Sequence, residues 1–179
     1  MNIYFLRHGQ TDYNIKNLIN CDPKTNIGLN ETGRKQALEA ARRLNGVKFD
    51  VVFVSEFLRT QETANFVNSK GGYTMKIDKR LNEFNSGMEG RNVREYWEKF
   101  DKQGGKKHKF KIEGKESYED VKNRVEEFIE ELREAKYRDV LVITHEAVIK
   151  MARVILDKVP IEEAVNITIG NAEYLNFVA

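Results

Sequence analysis

Three short stretches, residues 2–6 (NIYFL), 50–54 (DVVFV) and 139–144 (DVLVIT), are almost unbroken runs of β-branched, aliphatic and aromatic residues. A strand with one wet face alternates apolar and polar positions, so a continuous apolar strand has to be covered on both sides. A chain carrying three of them can bury them only in a sheet with helices above and below. The intervening sequence supplies those helices. From Ser117, a capping box of Ser117 and Asp120 precedes a stripe of Val121, Val125, Phe128, Ile129 and Leu132. A second helix is predicted over 31–45, with Ala37, Leu38, Ala41 and Leu44 facing inward and Gly46 ending it. A third begins near Phe57 and stops at Gly71-Gly72. A fourth follows Thr144, with Val148, Met151, Ala152 and Ile155 inward and Pro160 closing the segment.

Residues 74–77 and 174–178 read as further strands, the last at a sheet edge. Strand and helix in alternation predict an α/β domain, a three-layer sandwich with a mainly parallel central sheet. With 179 residues and 40% hydrophobic content the chain fits one domain, spanning 1–179. One stretch breaks the alternation. Between about 85 and 115, a short amphipathic helix marked by Val93, Tyr96, Trp97 and Phe100 runs into a Gly- and Lys-rich segment (GGKKHKFK). It reads as a small cap inserted over the sheet.

Charge narrows the function. Thirty basic and 28 acidic residues leave a net +2, too little for the broad field of a nucleic-acid binder, so any anionic substrate must be held by a local cluster. No apolar run approaches the roughly 20 residues of a membrane helix. Residues 1–6 lack the charged region and long apolar run of a secretion signal, and the lone Cys21 has no disulfide partner. The expectation is a cytoplasmic protein that engages neither nucleic acid nor membrane. Nothing in the pattern fixes an oligomeric state.

Open α/β sheets bind ligands at the carboxyl ends of their strands. There the first strand runs into Arg7-His8-Gly9-Gln10-Thr11, with Asn14 close behind; Arg59 lies past the second; Glu83 follows the strand at 74–77; and DVLVIT ends at His145. Two histidines, two arginines and a carboxylate from four strand ends fit phosphoryl transfer without a metal or cofactor. A neutral imidazole is a competent nucleophile, and arginines clamp phosphate oxygens and stabilise transition-state charge. Helix N-termini beside Arg59 and His145 add amide donors. Glu83 is placed to protonate a departing oxygen if its surroundings raise its pKa.

The segments LRHGQTDYN, GLNETGRKQA, VSEFLRTQETA, LNEFNSGMEG and VLVITHEAVIKMA occur in one order over nearly the whole chain. In them the chain resembles the histidine phosphatase superfamily, the branch of cofactor-dependent phosphoglycerate mutases and small phosphatases. The resemblance implies that His8 is the phosphorylated nucleophile. Arg7, Arg59 and His145 would complete the phosphate pocket, with Thr11 and Asn14 at its rim and Glu83 as the proton donor; the substrate would be a small phosphorylated metabolite. After Glu83 stands FNSGMEG in place of the mutase-like RHYG, so water is the expected acceptor. A mutase, a phosphatase acting on protein phosphohistidine and a catalytically weak phosphate-binding module are the competing readings. The cap would crowd a protein substrate.

Three residues depart from the family pattern: Glu146 after the second histidine, Cys21 in the substrate loop and Lys115 before Glu116-Ser117, each where glycine is usual. Glu146 opens a helix, where a carboxylate complements the helix dipole, or it acts electrostatically on the phosphate pocket. Cys21 reads as a plain loop thiol and His108, inside the lysine run, as solvated. Lys106, Lys107, Lys109 and Lys111 either attract an acidic substrate or form an ordinary solvated loop. Trp97 and Phe100 read as cap packing. The histidines have no ligand spacing, so no bound metal is expected.

Overall fold

A computed structural model of the chain describes residues 1–69 and 71–179. Strand β1 (Asn2–Arg7) is followed by a single turn α1 (Asp12–Ile15), α2 (Glu31–Arg43), β2 (Val51–Val54), α3 (Leu58–Asn68) and β3 (Met75–Ile77). A 3-10 turn at Lys79–Leu81 leads to α4 (Val93–Gln103), α5 (Tyr118–Glu134), β4 (Asp139–Thr144), α6 (Glu146–Leu156), α7 (Ile161–Ala164) and β5 (Tyr174–Val178). The five strands form one sheet in the order β3-β2-β4-β1-β5. All neighbours are parallel except β5, which runs antiparallel to β1 at the edge.

The unbroken apolar strands lie in the middle of this sheet, and their alternate residues feed two separate cores. Ile3, Phe5, Val51, Phe53, Val140 and Val142 face α5, α6 and α7, meeting Val121, Val125, Phe128, Ile149 and Met151. Leu6, Val52, Val54, Leu141 and Ile143 face the other way, onto Ala40 of α2, Leu44 at its C-cap, and Ala64 and Val67 of α3. This is a three-layer sandwich, helix on sheet on helix. The capping box of Ser117 and Asp120 forms as expected, and the whole stripe of α5 is buried. In α2 the inward face is rotated from the expected one. Gly33, Ala37, Ala40 and Leu44 are buried, whereas Leu38 is 42% exposed, and Gly33 on the same buried face takes the close approach to the loop after β1.

Segment 85–115 has its own small cluster: Met88, Tyr96 and Phe110, with Trp97, Phe100 and Ile112 packed against them and Ile19 and Phe84 joining from outside. Val93 is left out of this packing. It is 39% exposed and faces a cavity instead. His108 is not solvated as the lysine run suggested. It is 3% exposed, with its Nε2 3.5 Å from Glu119 of α5 and 4.0 Å from Glu162 of α7, so it helps to tie the segment to two helices. Among the described residues, no helix is long and apolar enough to cross a membrane.

The loop after β1 lies directly on the first turn of α2. A Cβ on Gly33 would overlap the backbone oxygen of Gln10, and one on Gly9 would overlap the carbonyl oxygen of Gly33. Backbone cannot yield as a flexible side chain can, so both positions require glycine for close approach. Gly33→Ala should therefore lower the unfolding free energy by about 1–3 kcal/mol. Urea denaturation measures this; an unchanged midpoint would show that the loop and helix can separate freely.

Candidate active site

The parallel pairing of β1 with β4 aligns Arg7 with Thr144, so His8 and His145 leave the sheet side by side. The His8 amide donates to the Thr144 carbonyl at 3.0 Å, and the two imidazoles lie with ring centroids 5.3 Å apart. Between them comes Arg59, from the first turn of α3. Its Nε donates to His8 Nε2 at 3.0 Å, one terminal nitrogen to His145 Nδ1 at 3.0 Å, and the other to the side-chain oxygen of Asn20. Neither α3 nor α6 has a side-chain cap at its N-terminus.

These partners determine both tautomers. His8 Nδ1 lies 2.7 Å from the Gly9 carbonyl, which only accepts, so Nδ1 carries the proton and Nε2 holds the lone pair. Arg59 only donates, so His145 Nδ1 is an acceptor and its Nε2–H donates to Ser55 Oγ at 2.8 Å. Ser55 in turn meets Thr60 Oγ1 at 2.7 Å, and Thr60 donates to the Phe57 carbonyl at 2.7 Å. Burial, then the charges of Arg59 and Arg7, holds the His8 pKa well below the ordinary histidine range. His145 is held down by burial, then by Arg59 and His8. Burial also pushes Arg59 down to about 10, which leaves it cationic at neutral pH.

Arg7 lies beside this group. Its NH1 donates to the Ile169 carbonyl and pairs with Glu146 at 3.1 Å. Its Nε is buried with no partner, alone in this among the buried side-chain polar atoms of the described residues. Thr11 caps α1 in a capping box with Asn14, which uses the Asn14 side-chain oxygen and turns the pair toward the same cavity. Glu83 enters from beyond β3, with one oxygen accepting from the Phe84 amide at 2.9 Å and the other 3.9 Å from His145 Nδ1. Burial raises its pKa above the usual carboxylate range, against the opposing pull of Arg59.

Arg7, His8, Thr11, Asn14, Arg59 and Glu83 line one cavity of about 440 Å³. His145 is fully buried beneath Arg59. The remaining wall includes Ile19, Val93, Trp97, Ile167, Lys107, Glu146 and Lys150. Trp97 thus serves both the packing of α4 and the cavity, whereas Phe100 packs only internally. The lysine run does not crown the opening. Lys106, Lys109 and Lys111 are paired with Glu162, Glu119 and Asp120, and only Lys107 reaches the cavity. Cys21 is buried, its thiol pKa raised by burial. Among the described residues, no three His, Cys, Asp or Glu side chains are grouped to hold a metal ion.

Several positioning residues have no signature in the sequence. Asn20, which holds Arg59, is itself held by Glu89, whose carboxylate also accepts the Cys21 and Asp22 amides at 2.6 and 2.8 Å. Arg124 of α5 forms a two-point pair with Glu116 at 2.7 and 3.1 Å and donates to the Arg80 carbonyl, fixing the loop that bears Glu83. Their spacing from the site, 60 residues or more of chain in some cases, leaves no local pattern.

The chain matches the family model of the histidine phosphatase superfamily (branch 1) over residues 3–178. It is 31% identical over 166 residues to a fructose-2,6-bisphosphatase of Saccharomyces cerevisiae, covering 90% of this chain but only 35% of that protein. It is 32% identical over 158 residues to an adenosylcobalamin/alpha-ribazole phosphatase of Escherichia coli, covering 84% of this chain and 76% of the other. Among solved structures, an alpha-ribazole phosphatase from Shigella flexneri superposes with a TM-score of 0.85 at 25% identity, covering 98% of this chain and 89% of that one. A mycobacterial glucosyl-3-phosphoglycerate phosphatase does so with a TM-score of 0.83 at 25% identity, covering 98% and 91%.

The raised pKa of Glu83 has a measurable consequence. The folded chain holds this proton more tightly than the unfolded one, so the contribution is full below the unfolded value and is lost as pH rises through the folded value. His8 and His145, with depressed values, act oppositely and lose their contribution as pH falls. Comparison with Glu83→Gln isolates the carboxyl. The stability of the natural chain minus that of Glu83→Gln should fall as pH rises from about 4 to 7; a difference that grows with pH would mean that Arg59 and Arg7 outweigh burial.

Proposed function

Because the chain belongs to the histidine phosphatase superfamily (branch 1) and is a phosphoric monoester hydrolase, we propose that it hydrolyses a small phosphomonoester without a metal, through a phosphohistidine at His8. The observation that carries the reading is the orphaned Arg7 Nε, a buried donor on a residue that lines the same cavity as Arg59 and His8. A buried donor without a partner is costly, and a phosphoryl oxygen would satisfy it. The relatives support a small substrate, since those named act on fructose 2,6-bisphosphate, alpha-ribazole phosphate and glucosyl-3-phosphoglycerate.

In this mechanism the phosphoryl group takes over the donors that Arg59 now gives to His8 and His145. That frees the His8 Nε2 lone pair to attack phosphorus in line with the leaving oxygen. The Nδ1–H bond to the Gly9 carbonyl keeps the ring oriented and stabilises its developing positive charge. Arg7 and Arg59 hold the equatorial oxygens, and Thr11 and Asn14 line the rim. As the P–O bond breaks, Glu83 gives its proton to the departing oxygen; burial favours the protonated carboxyl that this step needs. Water then attacks phosphorus, Glu83 takes the water's proton, the P–N bond breaks with its electron pair returning to His8 Nε2, and inorganic phosphate leaves with His8 restored. Segment 85–115 acts as a cap that closes the site over a small ester. Water rather than a second hydroxyl is the acceptor, since Glu83 is followed by FNSGMEG and not the mutase-like RHYG.

Turnover of p-nitrophenyl phosphate should persist in excess EDTA, and its loss there would rule out metal-free chemistry. Activity should decline on the alkaline side as Glu83 loses its proton. Glu83→Gln should slow an alkyl phosphate by about 10²–10⁴-fold and an activated aryl phosphate far less. Equal slowing of both would remove proton donation from its role.

A further inference from the structure

Glu146 occupies a place in the cavity wall that the reaction does not require. Its two oxygens are both committed: Oε2 lies 3.1 Å from Arg7 NH1 and Oε1 2.9 Å from Lys150 Nζ, one turn further along α6. All three residues line the cavity that holds His8 and Arg59. Lys150 is itself buried, and its Nζ reaches no further than the Val165 carbonyl at 3.5 Å.

Without Glu146, Arg7 NH1 and Lys150 Nζ would stand as neighbouring cationic donors beside the phosphoryl site, an arrangement suited to a second anionic group of a substrate. With it, two positive charges become a trio of net +1, and the partner of both donors is a carboxylate that an incoming anion would have to displace or face. Lys107, the other lysine on this wall, is engaged with Asn166 at 2.9 Å and lies over the Trp97 ring. The nearby surface of Ile19, Val93, Trp97 and Ile167 offers apolar contact and no charge. Glu146 also acts on the proton donor in a consistent direction. Burial is the main cause of the raised Glu83 pKa, and the Glu146 charge adds to it.

We propose that Glu146 is a specificity-determining residue: by pairing with both Arg7 and Lys150 it restricts the enzyme to monoesters whose leaving group carries no second negative charge. This rests on the phosphatase reading and narrows its substrate class. Discrimination of this kind comes from a repulsive element as much as from attraction.

The test uses two substrates that differ by one charge, phenyl phosphate and 4-carboxyphenyl phosphate, with the full chain and with Glu146→Gln, which keeps the side chain's shape. The ratio of kcat/KM for the charged ester to that for the neutral one should rise about tenfold or more in Glu146→Gln, through a lower KM for the charged ester. The difference in intrinsic reactivity cancels in that comparison. Glu146→Ala should shift the ratio in the same direction, so the result does not depend on how glutamine packs. Measurable turnover with the ratio unchanged in both variants would overturn the inference and leave Glu146 a helix-start stabiliser. If the natural chain hydrolyses neither ester, the phosphatase reading fails and this inference with it.

Discussion

The arrangement of the whole site depends on the register between β1 and β4. Two parallel strands, adjacent in the middle of the sheet, pair Asn2 with Asp139 and Arg7 with Thr144, and each ends in a histidine at the next position. A shift of one residue would turn every side chain of one strand to the opposite core. The two-sided burial that makes these strands continuous in hydrophobicity also locks their register, and so fixes the 5.3 Å separation of the imidazoles. Chemistry here is secured by packing.

Onto that frame the fold brings charge that is costly to bury. Arg59 is almost fully enclosed, yet each of its three side-chain nitrogens has a partner in His8, His145 or Asn20. The network is supported from outside by carboxylates that never reach the cavity: Glu89 holds the Asn20 loop and Glu116 holds Arg124. A preorganised cationic pocket of this kind stabilises transition-state charge with little reorganisation. Burial first, and then the charge of Arg59, hold both histidines neutral, the state in which each can accept from Arg59.

Much of this was legible in the sequence for one reason. The covered strands declare themselves by composition, and ligand chemistry collects at their carboxyl ends, so Arg7, His8, Arg59, Glu83 and His145 could be read as a set before their distances were known. The stripe on α5 was legible because helical periodicity is local. What could not be read depends on contacts between distant segments. Leu38 faces outward although its spacing fits the inward stripe, since which side of α2 is covered depends on contacts with distant segments such as that of Gly33 with the backbone of Gln10. His108 looked solvated because its partners, Glu119 and Glu162, lie on α5 and α7. The lysines around it looked free for the same reason. Asn20, Glu89 and Arg124 are ordinary polar residues whose positioning work exists only in the folded chain.

The central claim is that His8 carries the phosphoryl group, and the direct measurement is to trap it. A labelled phosphomonoester mixed with the enzyme and quenched in base within one turnover should yield a phosphoenzyme stable to alkali and lost in acid, as a phosphoramidate bond requires, with the label on the peptide containing His8. The same trapping applied to His8→Ala should give no label. A label found on serine or threonine, or one retained in His8→Ala, would contradict the account.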